Sequence, residues 1–201
     1  MGIRNDRKAA TRAEIQRATL DLLETVGFEG TTIARIAERA GISERTFFRY
    51  FDSKEAAAMP GQGELVQALL THPLHPALTS AQVLRELIEV CRTHFAYEVQ
   101  QYEFVRISRL VLREPGLLQG VARQELQLVS ALSGSLVERN ILEQMPALLV
   151  AELIACTWRV AWQCFAQESE DDGCDPVALF EKAVKNLGEI VSPVGDSPAP
   201  A

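Results

Sequence analysis

Two arginines in the N-terminal quarter of the chain have the type and spacing that suit contact with nucleic acid. Arg45 and Arg49 lie four residues apart, so on a helix they share one face. A guanidinium group donates hydrogen bonds in a planar fork, which fits both phosphate and the edge of guanine. Tyr50 and Lys54 follow directly, where they can hold a flanking strand. The alternative is a solvated helix face on which the arginines pair with Glu44 or Asp52.

Hydroxyl side chains at three positions predict helix N-termini in the same region. Thr31 or Thr32, Ser43 and Ser53 each precede a short helical pattern and are favoured N-caps. Unpaired backbone N–H groups and the positive end of the helix dipole suit phosphate there. Lys54 would stand in a first helical turn, where its charge opposes the dipole without a packing benefit. A charge in such a place often serves a ligand.

The first helix is indicated by a stripe of apolar residues with helical spacing between Ile15 and Val26. The helical pattern runs from Arg7 to Val26. Thr11 and Glu14 fit a capping box, which predicts a start as late as Thr11 if a frayed basic arm precedes it. Gly27 predicts its end, because glycine enters the left-handed conformation without strain.

Two short helices follow, joined by Gly41, and together they predict a helix-turn-helix. The second is expected from Glu44 to Tyr50 or Phe51, with Phe47 and Phe51 turned inward into a core. The first helix of such a unit crosses the DNA backbone and the second lies in the major groove.

The remaining chain also reads as helix, which makes the predicted fold all-α. Longer helical patterns cover about 64–70, 80–112 (one helix or two), 114–142, 146–167 and 175–190. We expect a DNA-binding domain over 1–52, a helical effector-binding and dimerisation domain over 53–191, and a disordered tail over 192–201 that is rich in Pro, Ser and Gly.

Charge and composition limit the function classes. The 201 residues are 47% hydrophobic with a net charge of -7, but residues 1–58 carry ten Lys/Arg against nine Asp/Glu, so the acidic excess lies in the remainder. No apolar run approaches the ~20 residues of a membrane span, and no signal peptide is indicated. Four cysteines without a Cys-x-x-Cys pair argue against a zinc site. We expect a cytoplasmic protein without metal or cofactor.

The string TTIARIAERAGISERTFFRYFDSKE resembles the DNA-binding signature of the TetR family of repressors. The resemblance extends over about Thr11 to Ala57 and includes helix lengths, Gly41 and the Ser-Lys-Glu that starts the next helix. It implies an all-α homodimer with a three-helix DNA-binding head and a variable six-helix ligand-binding body.

The resemblance also implies roles for individual residues. Thr32, Tyr50 and Lys54 would contact phosphates, with Ser43 at the start of the reading helix. Glu44, Arg45, Thr46 and Phe48 would face base edges, and Arg49 would reach either phosphate or guanine. Glu44 departs from the family pattern, because a carboxylate in the groove is repelled unless it accepts a hydrogen bond from a cytosine amino group.

The body could hold an enzyme or a sensor, and the sequence favours a sensor. No nucleophile–base set, helical metal pair or phosphate-binding glycine loop is present; His72 and His75 could hold a metal only weakly from a Pro-rich loop. The predicted pocket is apolar, with Arg106 and Arg109 as candidates for an anionic group. Its walls would be formed by Cys91, Phe95, Phe104, Ile107, Val111, Trp158 and Trp162.

The segment 146–167 is apolar on more than one face, which predicts burial against both an internal pocket and a partner subunit. The resulting hypothesis is a homodimeric repressor that is released from a palindromic operator by a small lipophilic effector. The alternative is a helical protein-interaction module whose helix-turn-helix is only structural.

Overall fold

The computed structural model describes residues 3–59, 62–100, 103–168 and 175–191, and within these ranges the chain is all-α, with no β-strand. This confirms the predicted fold class. In chain order the helices are α1 (Ile3–Gly30), α2 (Ile33–Arg39), α3 (Glu44–Phe48), α4 (Lys54–Ala58), α5 (Gln62–Thr71), α6 (Ser80–Glu98), α7 (Phe104–Arg113), α8 (Pro115–Glu138), α9 (Gln144–Glu168) and α10 (Pro176–Val191).

The predicted caps of the short helices are confirmed. Thr32 accepts a hydrogen bond from the Arg35 N–H, and Ser43 and Ser53 accept equivalent bonds from the third residue of α3 and of α4. Gly41 ends α2 with a φ of +65°, which only glycine adopts freely. Both helices of the helix-turn-helix therefore begin where their hydroxyl residues predict, and the turn lies at the predicted glycine.

The start of α1 differs from the prediction. Thr11 is not an N-cap, because α1 is already helical from Ile3 and the Thr11 hydroxyl donates to the Arg7 carbonyl oxygen at 2.9 Å. No proline or glycine interrupts residues 3–26, so a hydroxyl inside the helix does not stop it. The predicted break at Gly27 is present, with φ +68° and ψ 179°, and a further turn runs on to Gly30.

α3 is shorter than predicted, since its regular part ends at Phe48. The chain still turns after it: the Tyr50 N–H and the Phe51 N–H both donate to the Phe47 carbonyl oxygen, at 2.8 and 3.0 Å. This tightening is common at helix ends and keeps both phenylalanines on the inner side.

The chain divides into two units, the first formed by residues 1–67 and 101–127. We call α1–α4 the head. Its core is apolar and consists of Ile15, Ala18, Leu22, Ile36, Phe47, Phe51 and Ala57. α7 packs against α1 within the same unit. The domain boundary expected between residues 52 and 53 stays a prediction, and the expected tail over 192–201 lies outside the described residues.

The second unit comprises residues 68–100 and 128–201, and α6, α9 and α10 pack together in it. An aromatic cluster fills the contact: the Phe95 ring lies 5.2 Å from Trp158 in an edge-on arrangement and 5.0 Å from Phe180 in a stack. Arg92 of α6 donates to Glu181 of α10 at 2.5 and 3.1 Å. α9 and α10 are thereby fixed to α6.

The expectation about membrane spans needs a correction. Residues Gln144–Gln167 of α9 are long and apolar enough to cross a bilayer by length and composition, with 44% of that window buried. One such helix does not identify a membrane protein, because core helices of soluble proteins have the same length and composition.

Candidate nucleic-acid interface

α3 presents a polar and aromatic face on the surface of the head. Glu44, Arg45 and Arg49 are exposed, and Phe48 is 52% exposed. The intervening Phe47 is fully buried in the head core, which fixes the rotation of the helix. An α-helix of this kind fits the major groove with its outward side chains toward the base edges.

The two arginines of this face are not used for ion pairing. Neither Arg45 nor Arg49 forms a salt bridge with a side chain in the described part of the chain, so the pairing with Glu44 or Asp52 is not found there. The Arg49 guanidinium lies 5.3 Å from the centre of the Tyr50 ring, and Tyr50 is half-buried against the head core. Both guanidinium groups keep their hydrogen-bond donors for a ligand.

The remaining predicted contacts stand at helix starts. Thr32 and Ser43 are exposed, and each already accepts a backbone hydrogen bond as an N-cap. The Ser43 hydroxyl also lies 3.0 Å from that of Thr46, which is half-buried. Capping alone accounts for these hydroxyl groups, so contact with DNA would be an additional role for them.

Lys54 has partners that the sequence analysis missed. Its ammonium donates to the carbonyl oxygens of Phe28 at 2.6 Å and of Thr31 at 3.0 Å, and lies 3.7 Å from the centre of the Phe28 ring. A lysine has three N–H donors, so one is left for a phosphate. The position of a positive charge in the first turn of α4 indicated that Lys54 has a partner. The sequence could not identify Phe28 as that partner, because it lies 26 residues away.

A charge network connects α1, α2 and α7 within the first unit. Asp21 accepts from Arg39 at 2.9 Å and from Arg106 at 2.5 Å. Burial is the largest single influence and acts to raise the pKa of Asp21, but the hydrogen bonds from Arg106 and Arg39 together outweigh it and lower the pKa below 3.8. Arg106 also donates to Glu24 at 2.6 Å and to Glu103 at 3.2 Å. Its guanidinium therefore serves the protein's own carboxylates rather than standing ready for an anionic ligand.

A cleft of about 710 Å³ lies between α1 and α7 in the first unit. Its lining combines charged and apolar side chains: Leu23, Glu24, Arg106, Arg109, Leu110, Arg113 and Glu114. Arg109, the second residue expected to hold an anionic group, is exposed on this side of α7.

The residues predicted for the effector pocket fall into two groups. Cys91, Phe95 and Trp158 are buried in the second unit, where burial raises the pKa of the Cys91 thiol to about 12, and Trp162 is half-buried there. Phe104, Ile107 and Val111 are buried on α7 in the first unit. Phe95 and Trp158 touch each other, and the pocket as a whole stays a prediction.

α9 also carries apolar side chains on its exposed face. Met145 is 73% exposed and Leu149 57%, and Cys156 and Val160 continue the same stripe at helical spacing. On the opposite side Trp158 and Phe165 are buried. The helix is thus apolar on two faces, as its sequence indicates, and one of them has no cover within the chain's described residues.

His72 and His75 do not come together as a metal site. The His72 Nε2 lies 3.1 Å from Glu86 Oε2, while His75 Nδ1 accepts from the Ala77 N–H. In the described part of the chain no three His, Cys, Asp or Glu side chains are grouped to hold a metal ion.

Known proteins share the helix-turn-helix and the helical body. The family model described as "Bacterial regulatory proteins, tetR family" matches residues 15–56. The HTH-type transcriptional regulator TcmR of Streptomyces glaucescens is 28% identical over 196 residues, 92% of this chain and 86% of TcmR. RutR of Escherichia coli is 42% identical over 55 residues, 27% of this chain and 26% of RutR.

One solved structure with the same fold is that of the regulator FadR from Bacillus subtilis in complex with stearoyl-CoA. It matches with a TM-score of 0.53 at 19% identity, over 87% of this chain and 96% of FadR. The likeness therefore extends beyond the head into the helical body, at the level of fold.

Proposed function

We propose, since the chain belongs to the TetR family of bacterial transcriptional regulators, that it is a homodimeric repressor released from a palindromic operator by a small lipophilic effector. The observation that carries the proposal is the outward face of α3, where two unpaired arginines and an exposed phenylalanine stand over a buried aromatic core. This face does not contribute to the packing of the head. Its composition is that of a surface that reads base edges.

The contacts with DNA follow from the exposure of each side chain. Arg45 would donate to the O6 and N7 atoms of a guanine, and Phe48 would lie against a thymine methyl group. Glu44 would accept from a cytosine amino group. Thr46 would face a base edge beside Arg45, and Arg49 would reach either a phosphate or a guanine. Thr32, Ser43, Tyr50 and the third N–H of Lys54 would fix the head on the phosphates.

The dimer would form through the exposed stripe of α9. Side chains such as Met145 and Leu149 are too apolar and too close together to be left in water without a partner. A two-fold related copy is the occupant that the family implies, and it would bury the same stripe from both sides. Two α3 helices about 34–36 Å apart would then enter successive major grooves of a palindrome.

The effector would bind the state of the dimer whose heads do not fit the operator, so that DNA and effector oppose each other by linkage. Buried aromatic side chains of α6 and α9 within the second unit, such as Phe95 and Trp158, favour a lipophilic ligand. The likeness to FadR of Bacillus subtilis extends to the fold alone. Because the structure of FadR contains stearoyl-CoA, a long-chain acyl thioester is the first candidate effector to test on this chain. Such a regulator would work in the cytoplasm and catalyse no reaction.

Selection of bound duplexes from a random pool tests the proposal. We expect recovery of an inverted repeat, and its half-sites should be lost when Arg45 and Arg49 are both changed to Ala. Failure of the unaltered chain to shift any duplex at low salt would favour the protein-interaction alternative, because even non-specific binding needs these cations.

A further inference from the structure

Phe28, in the turn after Gly27, is held from two directions by segments that are distant in the sequence. We propose that Phe28 is a positioning residue through which the α7–α8 turn sets the place of α4 in the head; the effect on operator binding rests on the proposed function. All of the contacts involved lie within the first unit.

From one side, α4 is attached to Phe28 by Lys54. The ammonium lies 3.7 Å from the centre of the ring and donates to the backbone oxygens of Phe28 and Thr31. A cation over an aromatic face adds to these charge-assisted hydrogen bonds. Because Thr32 caps α2 directly afterwards, Lys54 connects the start of α4 to the start of the helix-turn-helix.

From the other side, the first residues of α8 lie directly against the same ring. A Cβ atom at Gly116 would come within 2.2 Å of the Phe28 Cε1 atom and 2.4 Å of Cδ1, so only a glycine fits there. Glu114, just before α8, accepts a hydrogen bond from the Phe28 N–H at 3.3 Å. The Phe28 ring thus contacts the α8 backbone and the Lys54 ammonium, and a shift of either moves it against the other.

A second glycine one turn later brings α8 against α4 itself. A Cβ atom at Gly120 would stand 3.0 Å from the Cβ of Glu55 and 3.3 Å from the methyl group of Met59. Gly116 and Gly120 therefore hold α8 close to both the turn and α4. Glu114 also lines the cleft between α1 and α7, so a ligand that enters the cleft meets the residue that holds Phe28.

Gly116→Ala tests the coupling, because its methyl group would displace the Phe28 ring. We expect faster amide hydrogen exchange at residues 28–33 and 54–59, because conformations in which α4 is detached from the turn at Phe28 become more populated. The affinity for the operator should fall by about tenfold or more, because fewer molecules have the head in its binding conformation. Gly134→Ala is the matched control: it lies in the same helix, and nothing is within 4 Å of its Cβ position. It should change neither readout.

Two further variants separate positioning from loss of folding. In a Phe28→Leu background, which removes the ring atoms that clash, Gly116→Ala should lower affinity by less than about threefold, a non-additivity that marks a shared contact. Glu114→Ala removes the acceptor of the Phe28 N–H without adding bulk, and it should also speed exchange at 54–59.

Unchanged exchange at 54–59 in Gly116→Ala overturns the proposal, and if that variant does not fold, unchanged exchange in Glu114→Ala overturns it instead. The proposal is also overturned if Gly116→Ala lowers the affinity by the same factor in the Phe28→Leu background as in the unaltered chain. If the unaltered chain binds no duplex, the proposed function fails, while the exchange measurements still decide whether Phe28 couples α8 to α4.

Discussion

Arg45 and Lys54 are both cations of the head, but their surroundings give them different tasks. Arg45 is exposed on α3 and has no ion-pair partner among the side chains that the structure describes. Lys54 is half-buried and holds two carbonyl oxygens of its own chain. Their substitution should therefore separate base reading from phosphate contact and head stability.

Arg45→Ala is expected to cost about 1–3 kcal/mol on the operator and little on random duplex, because a base contact is lost. Lys54→Ala should weaken binding to both and reduce the slope of log K against log salt by about one. Titrations at several salt concentrations measure both effects. Arg85→Ala removes an exposed arginine of α6 and serves as the charge-matched control. Equal losses on both duplexes for Arg45→Ala would contradict its reading role.

Cys91 and Cys156 are expected to differ in reactivity. Cys91 is 2% exposed and burial raises its pKa to about 12, so the thiolate is scarce as well as inaccessible. Cys156 is exposed on α9. The proposed dimer would cover Cys156, so the test uses the Leu149→Glu variant, which is expected to be monomeric. Iodoacetamide at pH 8 should modify Cys156 of this variant at least about tenfold faster than Cys91, as measured by peptide mass spectrometry. Equal rates would show that the α6 core opens readily; unfolding in urea provides the control in which both react.

At the scale of helices, Asp21 of α1 is the common acceptor for α2 and α7. Its pKa is lowered by Arg106 and Arg39 against the effect of burial, so its contribution to stability is present above the unfolded-state pKa of about 3.9 and is lost as pH falls through the lower folded-state value. The network therefore stabilises the first unit at neutral pH and fails in acid.

Asp21→Asn should cost about 1 kcal/mol at pH 7, since two charged hydrogen bonds become weaker. The cost should begin to shrink as pH falls below about 4, where Asp21 of the unfolded chain takes up a proton, and it should disappear below the lower folded-state pKa. Urea unfolding between pH 7 and 3 measures it. Glu64→Gln, at an exposed carboxylate of α5, should leave the pH profile unchanged. A constant cost across this range would mean that Asp21 acts by packing rather than by charge.

The accuracy of the sequence predictions follows the range of the interactions. The N-caps Thr32, Ser43 and Ser53 and the break at Gly27 were predictable, because a cap is a contact over three residues and a positive φ needs glycine locally. The prediction of Thr11 as an N-cap was wrong, because a threonine hydroxyl can also donate to a backbone carbonyl oxygen inside a helix. The partners of Lys54 and Phe28 lie 26 and 86 residues away, and no local pattern encodes such distances.

At the scale of the whole molecule, the exposed stripe of α9 should decide the oligomeric state. Leu149→Glu would place a charge within the proposed interface and is expected to shift the protein from dimer to monomer in sedimentation velocity, with at least about tenfold weaker self-association. Leu126→Glu, at a leucine of α8 that is 69% exposed, makes the same change elsewhere and should leave the dimer intact. If the unaltered chain sediments as a monomer at micromolar concentration, the proposal that α9 forms a dimer interface is wrong.

The first unit is assembled from two stretches of chain, residues 1–67 and 101–127, which has a consequence for protein engineering. A truncated head that ends at residue 67 would leave Asp21, Glu24 and Phe28 without Arg106 and Glu114. A chimera that transplants this DNA-reading module onto the sensor of another regulator therefore has to carry residues 103–127 along with it. Grafts cut at the end of α4 should express as poorly folded hybrids, and grafts that include the second stretch should not.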